Sequence, residues 1–288
     1  MAVISEARPA RRRLPRRILI SQGLIQIFLL GMVVVAIFPF IWMIFASLKP
    51  FKELVESRAL LPETWTLRNY EEILGRVNFV AAFRNSIVSA VSVTVVSVFT
   101  SSVMGYIFSK YRFVGKEILF TIILSTMMVP FAVIMVPLYI TIANSFGLAD
   151  HLGGIIITGF YTAFGIFLMR QFMESIPFEL IDAARIDGAS EWRIFFTLVL
   201  PMSLSPMSAL AVFVYLFNWD SFLWPLIVLN SQDNQTLPLV LAGLRNLWWT
   251  RYEMWAAGSM LTVVPVMAIY AFASRYFIRG IAMTGLKA

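Results

Sequence analysis

The 288-residue sequence has no cysteine, a single histidine, and charged residues at only 14% of its positions. Without cysteine there are no disulfides, thiol nucleophiles or cysteine metal sites. His151 has no partner at metal-ligand spacing, so we predict no metal site. The motifs G-x-x-x-x-G-K-[ST], H-E-x-x-H and G-x-S-x-G are also missing, which removes these signatures of nucleotide binding, zinc proteolysis and serine hydrolysis. We therefore predict no catalytic residue and no cofactor in this chain, and any energy it uses must come from elsewhere.

Apolar residues are abundant instead, at 59% of the chain, and they occur in long uncharged runs. A hydrocarbon core of roughly 30 Å is crossed by about 20 helical residues. The runs therefore predict an all-α polytopic membrane protein with six transmembrane helices. The spans are predicted within residues 18–48, 85–109, 118–149 and 152–169, from Pro201 to about Asp220, and from about Trp255 to Ser274. The first run is too long for the core of a removable signal peptide.

Positive charge is concentrated at the two ends of the chain. Six arginines lie in residues 8–17, and three basic residues follow residue 274. This distribution fits the positive-inside rule better than a nucleic-acid footprint, and it predicts that both termini are cytoplasmic. Lys110, Arg112 and Lys116, between the second and third spans, agree with this orientation. The stretch that follows Met169 is net acidic and argues weakly against a cytoplasmic position, but acidic residues contribute little to orientation.

These patterns divide the chain into five parts. We predict a basic cytoplasmic tail (1–17), a first transmembrane helix (18–48), an extracytoplasmic segment (49–84), a core (85–275) and a cytoplasmic C-terminal tail (276–288). The extracytoplasmic segment has Leu67, Tyr70, Leu74 and Val77 at helical spacing, which predicts a short helix with these residues on one face.

A polar, acid-rich stretch, residues 175–201, interrupts the apolar chain and predicts two short helices around a turn. Ser175 and Pro177 suit the start of the first helix, Asp187-Gly188 suits its end, and Ser190 suits the cap of the second. Side chains at i, i+3, i+4 and i+7 share a face of a helix. On the first helix these are Leu180, Ala183, Ala184 and Asp187, and on the second they are Trp192, Phe195, Phe196 and Val199.

This stretch resembles the EAA loop of permease subunits of ATP-driven (ABC) importers. That motif is Glu-Ala-Ala, three residues, Gly, nine residues, Ile, any residue and Leu-Pro. The matching residues here are Asp182-Ala183-Ala184, Gly188, Leu198 and Leu200-Pro201, with Asp182 in place of Glu and Leu198 in place of Ile. An ordinary amphipathic connector between two spans is the alternative interpretation.

Two further stretches resemble the carbohydrate-importing branch of that family. The octapeptide from Trp219 to Leu226 is similar to W-N-x-F-L-W-P-L, with Asp220 in place of Asn, and Thr236-Leu237-Pro238 is similar to its T-L-P element. The C-terminus, from Arg279 to Ala288, loosely resembles that of the same branch. By these motifs the chain is identified as a member of the maltose-type, binding-protein-dependent permeases, whose fold is the type I ABC importer permease fold.

The resemblance implies a bacterial-type inner-membrane protein that works in a complex. Its partners would be a second homologous permease, two ATPase subunits that bind ATP and Mg, an extracytoplasmic sugar-binding protein, membrane lipid and the sugar itself, with no nucleic acid. The loop would be a coupling helix that docks on the ATPase. The residues that the resemblance assigns to coupling are Glu179, Asp182, Ala183, Ala184, Asp187, Gly188 and Ala189.

Sugars offer hydroxyl groups for hydrogen bonds and flat C–H faces for aromatic rings, so a polar-aromatic cluster late in the fifth span suits them. We predict that the substrate path includes Tyr215, Asn218, Trp219, Asp220 and Trp224. Tryptophans near span ends also form interfacial belts, which is the simpler interpretation. In the third span, Pro130 and Pro137 predict kinks on one face that leave the carbonyls of Thr126 and Val133 unpaired beside the path.

Two other functions remain open at this point. A secondary carrier driven by an ion gradient usually has acidic or histidine relays within its spans, and Asp220 is the only buried carboxylate that we predict here. An ABC importer of glycerol-phosphate-like or polyol substrates would use a similar scaffold.

Overall fold

The computed structural model describes residues 16–76, 78–245 and 251–284, and every regular element within these ranges is helical. Among the described residues, three helices are long and apolar enough to cross a membrane, namely Gln22–Ser47, Phe79–Lys110 and Leu152–Glu174. Two bent helix pairs, Lys116–Met128 with Phe131–Ser145 and Glu191–Met202 with Leu204–Trp219, are long and apolar enough to count as one further span each. The helix Tyr252–Thr284 covers the sixth predicted span. We call these the first to sixth spans in chain order, the sixth being Tyr252–Thr284.

The second span, Phe79–Lys110, is the central helix because it packs against both the fourth and the fifth spans. Its contact with the fourth span is made by small residues. Ser97 Oγ donates to the carbonyl of Gly159 at 2.6 Å, and a Cβ atom built on Gly105 would lie 2.5 Å from Met169 Cβ. Small residues let helix backbones approach closely in a membrane, where no hydrophobic effect drives helices together.

The third span bends by 103° at Val129-Pro130. Proline has no N–H and fixes its own φ, so the helix cannot continue through Pro130, which instead precedes a new helix at Phe131. Pro137 lies inside that new helix. The prediction that the carbonyl of Thr126 is unpaired is wrong, because it accepts the N–H of Val129 at 3.2 Å in a tight turn.

The fifth span begins earlier than predicted and is not straight. Its first limb is Glu191–Met202, and a bend of 78° at Ser203 separates this limb from Leu204–Trp219. Pro201, which the sequence predicts to open the span, lies inside the first limb. A π-helical turn, Phe195–Val199, precedes it, and such turns are rare and occur mostly as single-turn bulges inside α-helices.

At one end of the bundle, the loop 229–236 is tied to the start of the second span. Asn85 Nδ2 donates to the carbonyls of Asp233 (2.8 Å) and Gln235 (3.1 Å), and the N–H of Leu237 donates to Ser86 Oγ (2.8 Å). Lys110, the last residue of the same span, lies at the other end of this 32-residue helix. We call the two ends of the bundle the Asp233 end and the Lys110 end.

A short helix, Arg68–Arg76, lies against the sixth span at the Asp233 end. The sequence predicts the helix correctly, but its apolar spacing does not mark the buried side, since Leu67 and Leu74 are exposed and Ile73 is fully buried. Asn69 is buried as well, because its amide donates to the carbonyls of Ser47 and Lys49, both at 2.8 Å, where the first span ends. Val77 lies outside the described residues.

Candidate functional site

Between the fourth and fifth spans, at the Lys110 end, the chain forms a short helix, Phe178–Ile186. We call this helix and its turn, residues 178–190, the elbow. Its first turn follows Pro177, as predicted. Ser175 does not start this helix, which corrects the prediction. It closes the preceding one instead, where its Oγ donates to the carbonyl of Phe172 at 2.7 Å.

The elbow turns at Gly188, which has a φ of +78°. The N–H of Ala189 donates to the carbonyl of Ala184, and the N–H of Gly188 donates to that of Arg185, both at 3.0 Å. This pair of bonds is a Schellman motif, which satisfies the carbonyls at a helix end and favours glycine at the left-handed position. Ser190 then caps the next helix through its Oγ, which accepts the N–H of Arg193 at 3.3 Å. The predicted turn and second cap therefore occur as the sequence indicates.

The elbow helix turns one face to the core and one away from it. Ile181 is fully buried, and Ala184 packs against the same core cluster. The opposite side is exposed, and we call it the elbow face. It consists of Glu179, Leu180, Ala183, Ile186 and Asp187. Ile186, at 86% exposure, is an apolar side chain with almost no cover in the isolated chain.

The helix that follows the elbow does not bury the whole stripe that its spacing predicts. Phe195 and Val199 are buried, but Trp192 and Phe196 remain 62% and 50% exposed. The two exposed rings stack on each other, with centroids 6.0 Å apart. The predicted stripe is therefore divided into a buried pair and an exposed pair, and a π-helical turn, Phe195–Val199, begins within it.

Charged and phenolic groups connect the elbow to the second span. Arg185 donates to Asp182 Oδ1 (3.0 Å) and to Glu191 Oε1 (2.7 Å). The other oxygen of Glu191 accepts the hydroxyls of Tyr106 (3.2 Å) and Tyr111 (2.5 Å). The hydrogen bond to Glu191 raises the pKa of Arg185, and burial together with the same carboxylate raises the pKa of Tyr111. Both shifts favour the protonated donors that this network needs.

Lys110 holds the other side of the elbow. Its side chain is buried, and Nζ donates to the carbonyls of Glu174 (3.3 Å) and Ile176 (2.5 Å). The ammonium group also lies 4.4 Å from the ring centroid of Phe178, the first residue of the elbow helix. From the sequence, Lys110 is interpreted only as evidence for the orientation of the chain in the membrane. Lys110, Arg185 and Glu191 are not predicted as part of the site. Lys110 and Glu191 make contacts 64 to 85 residues apart along the chain, which the sequence does not reveal.

The residues predicted for the substrate path do not form one cluster. Tyr215 and Trp219 are buried and stacked at 5.7 Å in the core next to Phe83, whereas Trp224 is buried in another cluster. Trp224 meets Phe131, the neighbour of Pro130, edge to face at 5.6 Å. Asn218 donates to the carbonyl of Val214 (2.8 Å) and is partly exposed, and Asp220 and Pro130 are exposed. Their contact with a substrate stays a prediction.

One buried carboxylate was not predicted. Glu253 is fully buried and paired with Arg251, whose guanidinium also lies 3.2 Å from Glu72. Asp220 is exposed. The prediction that Asp220 is the only buried carboxylate is therefore wrong on both counts. The reason is that Glu253 occurs at a helix start, in a polar stretch of sequence that gives no sign of burial.

Comparisons with a family model and with individual proteins all match membrane components of transport systems. A family model described as "Binding-protein-dependent transport system inner membrane component" matches residues 98–282. The arabinooligosaccharides transport system permease protein AraQ of Bacillus subtilis (strain 168) is 34% identical over 265 residues, which cover 91% of this chain and 94% of that protein. The lactose transport system permease protein LacG of Rhizobium radiobacter is 34% identical over 270 residues, which cover 94% and 96%.

A solved structure has the same fold. It is a bacterial ABC transporter involved in the import of the acidic polysaccharide alginate, and its matching chain aligns with a TM-score of 0.80 at 24% identity. The alignment covers 92% of this chain and 99% of that chain. The bends and breaks of the present helices therefore belong to a known architecture of membrane-spanning helices.

Proposed function

The chain belongs to the family of binding-protein-dependent transport system inner membrane components, and from that premise we propose that it is a permease subunit of an ATP-driven sugar importer. In this proposal it forms one half of the translocation path, and a second, related permease forms the other half. Both termini and the elbow face the cytoplasm of a bacterial-type cell, since the basic residues of both tails and Lys110, Arg112 and Lys116 favour that side.

The elbow face is the observation that carries the proposal. It combines exposed apolar side chains, Leu180 and Ile186, with a small residue, Ala183, and two carboxylates, Glu179 and Asp187. A small residue between two larger apolar ones lets a partner surface approach the helix closely. Leu180 and Ile186 are exposed together on one face of the helix, and a shared apolar surface favours a protein contact more than a single exposed side chain does. We propose that this face contacts an ATPase subunit and that the two carboxylates lie at the edge of the contact.

In this mechanism, ATP and Mg are bound by the two ATPase subunits, and this chain supplies the moving part. Closure of the ATPase pair around ATP displaces the docked elbow, and the spans then change from an inward to an outward opening. The free energy available is the difference in ATP affinity between the two states. The Schellman turn at Gly188 keeps the elbow rigid, which a lever requires.

The substrate class is proposed from the relatives, which are named for arabinooligosaccharides and lactose. Asn218, Asp220 and the break at Pro130 are the predicted path residues with surface available to a hydroxylated substrate. Tyr215, Trp219 and Trp224 contribute in this proposal by fixing the helices around the path, because their rings are already buried. An extracytoplasmic sugar-binding protein delivers the substrate at the Asp233 end.

Co-purification with the neighbouring subunits tests the docking site. We expect Ala183→Glu, and Gly188→Val, to remove the ATPase subunits from a complex that wild type retains, because the first blocks close approach and the second is strained at φ +78°. Ala149→Glu is the matched control, since Ala149 is an exposed alanine beside Asp150, away from the elbow. Full ATPase retention and full transport in both elbow variants would contradict the proposal.

The substrate class has its own test. The complex in proteoliposomes is given ATP and candidate binding proteins with arabinooligosaccharides, lactose, polyols or glycerol phosphodiesters, and ATP hydrolysis is measured. We expect the sugars to stimulate hydrolysis. Stimulation by polyols or glycerol phosphodiesters alone would leave the importer in place and overturn the sugar assignment.

A further inference from the structure

The second span contacts both sides of the elbow through residues near its last turn. On one side, Lys110 Nζ binds the carbonyls of Glu174 and Ile176, where the fourth span ends. On the other side, Tyr106 and Tyr111 donate to Glu191, the first residue of the fifth span. We call Tyr106, Lys110 and Tyr111 the grip.

The grip is made of strong interactions. Lys110 is a buried cation at carbonyls that a helix end leaves without intrahelical partners, and hydrogen bonds from a charged donor exceed neutral ones in strength. Its contact with the Phe178 ring adds a cation–π interaction. Glu191 receives three donors at once, from Arg185, Tyr106 and Tyr111, so the elbow and the second span share one carboxylate.

The second span also crosses the bundle as one continuous helix, unlike the third, fourth and fifth spans. The fourth span is interrupted at Tyr161-Thr162, and the fifth bends by 78° at Ser203. The helix Phe79–Lys110 contains neither a break nor a proline, and its 32 residues span about 48 Å. At its far end Asn85 holds the loop 229–236.

We propose that the grip makes the second span the main carrier of elbow movement, so that the elbow and Phe79–Lys110 move together as one body during transport. Lys110, Tyr106, Tyr111 and Glu191 are then positioning residues for coupling, and they act without touching ATP or substrate. A displacement at the elbow reaches the Asp233 end through one rigid helix. This inference rests on the proposed function, and it goes beyond that function by naming the helix that transmits the movement.

Charge removal at the grip tests the inference. For Lys110→Met and for Glu191→Gln we expect the complex to assemble and hydrolyse ATP, while sugar transported per ATP falls by about tenfold, the factor that 1.4 kcal/mol of coupling represents. Lys110→Arg should keep most of the wild-type ratio of sugar transported to ATP hydrolysed, because arginine retains the positive charge. Arg112→Met is the matched control, since it removes a nearby exposed cation that makes no hydrogen bond to the elbow in the described part of the chain.

A cross-link beside the grip tests the common movement, and the two introduced cysteines are the only ones in this chain. Arg112 and Trp192 line one apolar groove of about 390 Å³ between the second span and the residues after the elbow. In the double variant Arg112→Cys with Trp192→Cys, a short bifunctional thiol reagent fixes this distance. We expect the cross-linked complex to transport as fast as the same variant without the reagent, because the second span and the elbow do not separate during transport. Loss of transport on cross-linking would overturn the inference.

The two proposals fail in different ways. If the chain does not couple to an ATPase, wild type itself retains no ATPase subunit and shows no ATP-dependent uptake. If only the grip is assigned wrongly, wild type works, the elbow-face variants fail, and Lys110→Met keeps the wild-type ratio of transport to hydrolysis.

Discussion

Asp150 joins two loops at the Asp233 end through its side chain and its backbone. Its carboxylate accepts the N–H groups of Asn230 (2.8 Å) and Ser231 (3.0 Å), and its carbonyl accepts the amide of Asn234 at 2.6 Å. It has a φ of +53°, which aspartate tolerates better than most residues. The bonds from Ser231 are the largest cause that lowers the pKa of the carboxyl from 3.8 to about 2.

We expect Asp150→Ala to destabilise the protein by about 1–2 kcal/mol, because two charge-assisted bonds are lost at a partly exposed site. A lowered pKa stabilises the fold fully above the ordinary value near 4, and this contribution is lost as the pH falls towards 2. Thermal unfolding in detergent at several pH values measures both effects. The difference in stability between wild type and Asp150→Ala should be constant from pH 7 to about 5 and should become smaller below pH 4.

The control for this prediction is Glu56→Ala, which removes an exposed carboxylate from the segment between the first and second spans. It should unfold like wild type at every pH. If the stability difference between Asp150→Ala and wild type is the same at pH 3 as at pH 7, the carboxylate contributes nothing through its charge.

Single residues were predictable where local backbone geometry decides them. Gly188 and Ser190 have the turn and cap positions that the sequence predicts, because a helix end and a helix start are read within a few residues. Lys110 and Glu191 were missed, because their partners lie 64 to 85 residues away along the chain. The π-helical turn Phe195–Val199 was missed as well, because no residue type signals it.

At the scale of helices, Gly105 limits how closely the second and fourth spans approach. A Cβ atom there would lie 2.5 Å from Met169 Cβ and 2.9 Å from the backbone N of Arg170, and neither atom can move away independently of its helix. We therefore expect Gly105→Ala to destabilise the protein by about 1–3 kcal/mol, as overpacking does, in thermal unfolding in detergent.

Gly243 provides the matched control, because a Cβ atom on it meets nothing within 4 Å in the described part of the chain. Gly243→Ala should stabilise the helix Leu237–Arg245 by about 0.5–1 kcal/mol, since alanine loses less backbone entropy than glycine. Equal stability of the two variants would show that the spans can separate without cost.

The break at Pro130 gives a prediction about the shape of the third span. Cysteines in place of the exposed Ile118 and Ile140 carry spin labels, and a straight helix would separate these 22 residues by about 33 Å. With the 103° bend the wild-type distance is shorter. We expect Pro130→Ala to shift the population towards 33 Å, because alanine restores the missing N–H.

Pro137→Ala should leave that distance unchanged, because Pro137 is already accommodated within the helix Phe131–Ser145. A Pro130→Ala distance identical to wild type would mean that packing, and not proline, sets the bend. The sequence predicts kinks at both prolines, and only the structure separates them, because a proline stops a helix only where its neighbours do not compensate for the lost hydrogen bond.

At the scale of the whole molecule, the order of the six apolar segments was predictable from hydropathy alone, because every lipid-exposed backbone group must be bonded within a helix. The 175–201 motif predicted the family correctly. The face of the helix Arg68–Arg76 was not predictable, because Asn69 is buried by its bonds to the end of the first span and not by its hydrophobicity. Tertiary partners of this kind have no periodic signal.

The source of energy is the last question at this scale, because the buried Glu253 is the kind of group that an ion-driven carrier uses. Its pairing with Arg251 and its position at the start of the sixth span favour a structural role instead. The complex is reconstituted in vesicles with its cytoplasmic side facing the interior. We expect uptake to require ATP inside these vesicles and to persist when a protonophore is added. Glu253→Leu with Arg251→Leu should keep this dependence, since replacing a buried ion pair by apolar residues is often neutral. Uptake driven by a pH gradient without ATP, and lost in the double variant, would instead establish an ion-coupled carrier.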